Sequence, residues 1–155
     1  MRVGVSLTAK RLMTSLNLSI KLVLLTRLRA GTIWARATLF QSIFYFTPIK
    51  VKKGNRAYVL SEFGGLGLKL KGHTFNNKMF GYKVFFSRES LTEAYKRLFI
   101  KTIIPQIKDG LSATVYTQVT DVEDELNGLL TYDREVEKVD FETLKKINER
   151  VKLND

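Results

Sequence analysis

The sequence predicts an α/β fold organised around a strand–helix–strand unit, and three observations predict it. Ala57 to Ser61 is a short apolar run, as expected of a buried parallel strand. Ser87 to Lys108 places apolar residues at helical spacing. Leu111 to Thr117 (LSATVYT) is rich in β-forming residues and follows after only a short turn. That order implies a parallel strand pair joined by a right-handed crossover. The 155 residues, 45% hydrophobic and 26% charged, suit one globular domain.

The net charge of +11 is unevenly spread. Residues 1–61 contain 11 Lys and Arg and no acidic residue, whereas residues 62–155 carry 15 basic and 15 acidic residues. A neutral segment, residues 62–155, is thus joined to a uniformly basic one. The domain division expected is a basic N-terminal segment over residues 1–43 and a body over residues 44–155. Up to about Phe40 no clean period appears, but Leu12, Leu16, Ile20, Val23 and Leu24 fit one face of an amphipathic helix. Three readings of this segment stay open: an organellar leader, a helix for an anionic membrane or nucleic acid, and translation from a wrong frame or start. Ala37 to Ile49, the longest uncharged stretch, is too short to cross a bilayer, which takes about 20 apolar residues. No transmembrane segment is expected.

Pro48 and the run Lys50 to Asn55 mark a solvated connector before the first strand. That strand ends in Glu62, the first acidic residue of the chain, followed after Phe63 by Gly64 and Gly65. A solvated strand exit is the commoner meaning of such a pattern. A carboxylate at a strand's C-terminal end, on a glycine-freed loop, is also where barrel enzymes keep catalytic groups. Gly64 to Gly72 is too rich in glycine for a helix and reads as a long loop or a short hairpin.

Ser87 then opens the best helix, with Ser90–Glu93 as a second capping candidate. Its face is Leu91, Tyr95, Leu98, Phe99, Ile103 and Ile107; Pro105 kinks or ends it, and Asp109-Gly110 closes it. After the second strand come the acidic run Glu123-Asp124-Glu125 and a turn at Asn127-Gly128. A charge run without ligand spacing reads as a solvated loop rather than a calcium site. Asp140 caps a terminal helix whose face is Phe141, Leu144, Ile147 and Val151.

There is no cysteine and one histidine, His73. Disulfides and thiolate metal sites are excluded, a zinc site is not expected, and a reducing, cytoplasmic setting is. No cofactor is implied, and no RNA-recognition, helix-turn-helix or phosphate-loop motif marks a specific nucleic-acid partner.

VLSEFGG (Val59 to Gly65), the pieces Gly72, His73, Phe75 and Phe80 to Lys83, and the stretch Ile103 to Arg134 ending in NGLLTYDR together resemble glycoside hydrolase family 2. The likeness is to the end of that family's (β/α)8 catalytic barrel, as in β-galactosidases and β-glucuronidases, and runs from about Phe44 to Val151. It implies a partial TIM barrel: strand seven at Ala57 to Ser61, helix seven at Ser87 to Lys108, strand eight at Leu111 to Thr117. It makes Glu62 the nucleophile of a retaining mechanism, in which two carboxyl groups stand ~5–5.5 Å apart.

By the same resemblance Tyr116 is either a sugar platform or a barrel-packing aromatic. Asp121 orients its loop or a sugar hydroxyl. His73 lines a subsite or caps a loop, and Asp133 pairs with Arg134. Asn127 stands where the glucuronidases have a lysine, which counts against a uronic acid. The implied substrate is a β-linked carbohydrate. The acid/base Glu of the family, in an N-E context on strand four, has no counterpart in this sequence. The expectation is therefore a truncated or frame-disrupted descendant without activity alone. Its alternatives are a small basic binding module and a fragment that completes a barrel supplied by another chain.

Overall fold

A computed structural model describes residues 57–151, Val51, and the backbone of residues 39–44. Most of the basic segment, the helix expected over Leu12 to Leu24, and most of the Pro48–Asn55 connector lie outside the described residues.

Three strands form the central sheet: β1 (Leu39–Phe44), β2 (Ala57–Gly64) and β5 (Leu111–Thr117), in the order β1-β2-β5. Both neighbours of β2 run parallel to it, with Leu39 opposite Ala57 and Tyr58 opposite Leu111 at the start of the ladders. The parallel pairing of β2 and β5 is the one the strand–helix–strand order predicts. β1 is not read from the sequence, which has no element assigned over residues 39–44. Among the described residues the sheet has three strands and is not closed.

β2 continues three residues beyond the predicted Ser61, so Glu62 lies within the strand rather than beyond its tip. The ladder to β5 shifts register between Leu60 and Phe63, and the ladder to β1 shifts between Ser42 and Ile43. A one-residue slip exchanges the two faces of a strand. Leu60 and Phe63, three apart, are consequently both fully buried.

The helical layer begins at α1 (Arg88–Leu98). Ser87 is its cap: its Oγ accepts from the Ser90 amide at 3.2 Å, and Ser90 Oγ accepts from the Ser87 amide at 3.3 Å. The capping box is therefore Ser87–Ser90, not Ser90–Glu93. A π turn (Phe99–Ile103) and the short α2 (Ile104–Lys108) follow. Leu91, Tyr95, Phe99 and Ile103 are all buried. At 3.6 residues per turn a spacing of four drifts by about 40° per step, and the wider π turn takes up that drift. Pro105 falls at the start of α2, where a missing N–H is best tolerated, and the helical path continues past it. Gly110, at φ +105°, closes α2 and turns the chain into β5.

The glycine-rich stretch is neither an open loop nor a hairpin. β3 (Leu66–Leu68) pairs in parallel with β4 (Lys83–Phe85), and the buried Leu66 and Leu68 anchor it. The Leu68 amide donates to the Leu126 carbonyl at 3.0 Å, tying this layer to the chain after β5. α3 (Phe141–Asn148) is capped by Asp140, whose carboxylate accepts from the Thr143 amide at 3.0 Å. Leu144 and Ile147 bury its inner face, and Tyr95 Oη donates to Asn148 Oδ1 at 3.2 Å. No helix among the described residues is long and apolar enough to cross a membrane.

Candidate functional site

Glu62 is the third residue from the end of the central strand, partly exposed, and stands opposite Ile43 of β1. The residues after it fix its surroundings. Phe63 is buried against Phe99 and Tyr116, each ring 5.5 Å away. Gly64 has φ +114°, and a Cβ there would lie 2.6 Å from a Tyr116 ring carbon and 2.9 Å from the Thr117 carbonyl oxygen. Only glycine fits so close to β5. The Gly65 amide donates to the same Thr117 carbonyl at 3.0 Å.

Tyr116 sits opposite Phe63 in the ladder and lies against Tyr95, ring centroids 5.2 Å apart, on the helical side of the sheet. Its hydroxyl is buried without a hydrogen-bond partner among the described residues. Burial, with the nearby Tyr95 adding to it, pushes that hydroxyl well above the usual tyrosine range. Of the two roles open to Tyr116, its surroundings are those of a packing aromatic.

The chain leaves β5 through a cis Thr117–Gln118 peptide into a loop built on buried polar groups. Asp121 and Lys138 are 3% and 0% exposed. Lys138 Nζ donates to Asp121 Oδ1 at 2.6 Å and to the Leu126 carbonyl at 3.0 Å, and the Gly128 amide donates to Asp121 Oδ1 at 2.8 Å. Burial pushes the Asp121 carboxyl up and the Lys138 ammonium down, and each partner's charge opposes the shift in the other. Asp121 thus ties Gly128 and Lys138 together inside the loop. Gly128 is pressed so close that a Cβ would lie 2.2 Å from the Asp121 nitrogen.

Asn127, 1% exposed, accepts at Oδ1 from Gln118 Nε2 at 2.6 Å. Its Nδ2 has no partner among the described residues. The acidic run is less solvated than its charge implies. Glu123 is exposed, but Asp124 accepts from the Asn76 side chain and Glu125 Oε2 accepts from Gln118 Nε2 at 3.3 Å.

His73 meets Asp133 across 60 residues of sequence, Nδ1 to Oδ2 at 2.7 Å. This replaces the expected Asp133–Arg134 pairing; Arg134 is exposed with φ +64°. Asp133 also accepts from Thr131 Oγ1 at 2.6 Å and from the Glu135 amide at 3.1 Å. Desolvation, the largest single influence, raises the Asp133 carboxyl, but the hydrogen bonds from Thr131, Glu135 and His73 together outweigh it and hold the group below the usual range. A surface hollow of about 460 Å³ beside α1, lined by Arg88, Lys96 and Asp140 among others, includes none of these residues.

The candidate residues therefore fall into three groups: Glu62 with Tyr116 on paired strands, Asp121 with Asn127 in the buried loop, and His73 with Asp133 on the surface. Sequence reasoning missed Lys138, Gln118 and Thr131. Lys138 stands between Glu137 and Val139 with no periodicity to mark it as buried. No protein-family model matches the chain, and no curated protein is significantly similar to it.

Proposed function

We propose that residues 44–155 are the closing part of a retaining glycoside hydrolase barrel of the family 2 type. In this reading Glu62 is the nucleophile, and the 155-residue chain alone does not turn over glycosides. One observation supports it above the others. Glu62 lies near the C-terminal end of the middle strand of three parallel strands whose spatial order follows their sequence order. A singly wound barrel has that order, and its chemistry sits at the C-terminal ends of its strands. The Gly64–Gly65 turn after Glu62 lets the chain leave the strand while packing directly on β5.

The chemistry limits the activity. A retaining glycosidase needs a second, protonated carboxyl ~5–5.5 Å from the nucleophile to protonate the leaving oxygen. In the family the N-E context that carries it comes before the nucleophile; here no acidic residue of any kind precedes Glu62, and the N-E pair Asn148-Glu149 lies instead at the end of α3. An aryl β-glycoside offered to the purified chain should stay intact; turnover that disappears in Glu62→Gln would overturn the claim of inactivity. The encoding DNA upstream, read in all three frames, should contain further strand–helix units and an N-E motif. Their absence would sink the fragment reading.

The acid-free first 61 residues, with 11 basic side chains, favour a second reading: a basic module that grips nucleic acid or an anionic membrane. Binding of that kind falls steeply with salt, so affinity for an RNA or an anionic vesicle unchanged between 50 and 200 mM salt, roughly the range over which phosphate contacts weaken most visibly, speaks against it.

A further inference from the structure

We propose that His73, Asp133 and Glu135 form a binding site for a divalent transition-metal ion of the zinc or copper type. One ligand atom from each lies within 4.8 Å of the others. The site joins the β3–β4 loop to the stretch before α3, and sequence distance hid it. A lone histidine gives no metal signature by itself, but the fold supplies two carboxylates to it.

The donor set selects the class of metal. One imidazole nitrogen with two carboxylate oxygens suits Zn²⁺ or Cu²⁺ and is a poor match for Mg²⁺ or Ca²⁺, which take oxygen ligands alone. Asp133 is also held in place before any ion arrives. Thr131 is buried and its Oγ1 donates to Asp133 Oδ1, while the Glu135 amide donates to the same oxygen. The Val136 amide in turn donates to Thr131 Oγ1 at 3.1 Å, so the hydroxyl is itself positioned. On the other side the His73 amide donates to the Leu70 carbonyl at 3.2 Å. A second contact between the same two segments, Phe75 against Tyr132 with ring centroids 5.2 Å apart, holds them together beside the site.

His73 Nδ1 and Asp133 Oδ2 are now at hydrogen-bond distance, 2.7 Å. Ligand atoms on one tetrahedral zinc stand about 3.4 Å apart, given bonds of about 2.0–2.1 Å. Binding therefore opens that contact slightly and draws Glu135 in, movements within reach of partly exposed side chains. His73 binds the ion through one ring nitrogen, and the proton of the neutral ring then sits on the other. Water completes the coordination. The site stands apart from the glycosidase reading and does not depend on it.

Because His73 is the only histidine of the chain, the test is clean. Calorimetric titration of the full 155-residue chain with ZnCl₂ should show one saturable site, with MgCl₂ giving none. Both His73→Gln and Glu135→Gln should weaken zinc binding at least tenfold, roughly the loss that even an outer-shell partner of a metal site causes. Far-UV circular dichroism checks that the variants fold. In parallel, the single imidazole resonance should shift on zinc addition. Absence of saturable zinc binding to the folded chain, equal binding by His73→Gln, or an unmoved imidazole signal at saturating zinc would each overturn the proposal.

Discussion

The strand–helix–strand unit over residues 57–117 and the loop region over residues 118–139 are held together by different physics. In the first, Leu60, Phe63, Leu91, Ile103 and Leu111 are buried side by side, and backbone ladders satisfy the polar groups between them. In the second there is little regular structure. Its backbone is pinned by isolated bridges, such as Thr120 with Leu130, and by a fully buried ion pair, Asp121–Lys138. Apolar burial is non-directional and tolerates some slippage. A buried charge pair is geometrically exacting and costly to break. The contrast teaches that irregular chain is ordered here by a few directional contacts, and ordered helix and strand by many weak ones.

The largest effect that could break this comparison is at Lys138. Lys138→Ala leaves Asp121 buried without its cation and should cost about 3–5 kcal/mol, measured by urea unfolding. The double change Lys138→Met with Asp121→Leu should recover much of that loss, because well-packed apolar groups often replace a buried pair at no net cost. A single variant as stable as the parent would refute the role given to the pair. Next comes Leu60→Ala in the apolar unit. It should cost about 2–5 kcal/mol through lost burial and the cavity left behind, with no partner substitution able to rescue it by restoring charge.

The smallest effect is at Asp140, the cap of α3. Its carboxyl is held below the usual range chiefly by the hydrogen bond from the Thr143 hydroxyl, then by the Thr143 amide. A depressed folded-state value means that the stabilisation is present above the unfolded value of about 3.9 and is lost as pH falls through the folded one. Asp140→Ala should therefore cost about 1 kcal/mol at pH 7. The gap between parent and variant should close below about pH 3.9. A gap independent of pH would show that the charged cap is not its source.

Legibility followed the same division. The helix over Ser87 to Lys108 was readable because its apolar residues recur at the helical period, and strand β5 because it is rich in β-forming residues just after the helix closes. β2 was readable in place but not in length, since the register shift after Leu60 breaks the alternation before Glu62. β3 was hidden by its glycines, and its strand character comes from pairing with β4, 15 or more residues on. In the loop region almost nothing was readable. Asn127 carried a turn signal with Gly128, Asp121 a site signal only through resemblance, and Lys138 none.

By itself, then, the sequence determined the α/β class, the parallel strand–helix–strand unit, the cap at Asp140, and Glu62 as the candidate carboxylate. Periodicity and capping are properties of neighbouring residues, so one chain displays them. Tertiary structure alone decided that Tyr116 packs inward, that Lys138 and Asp121 are buried together, and that His73 meets Asp133 rather than standing alone. Those outcomes rest on contacts between residues 17 to 60 positions apart. No local pattern records such distances.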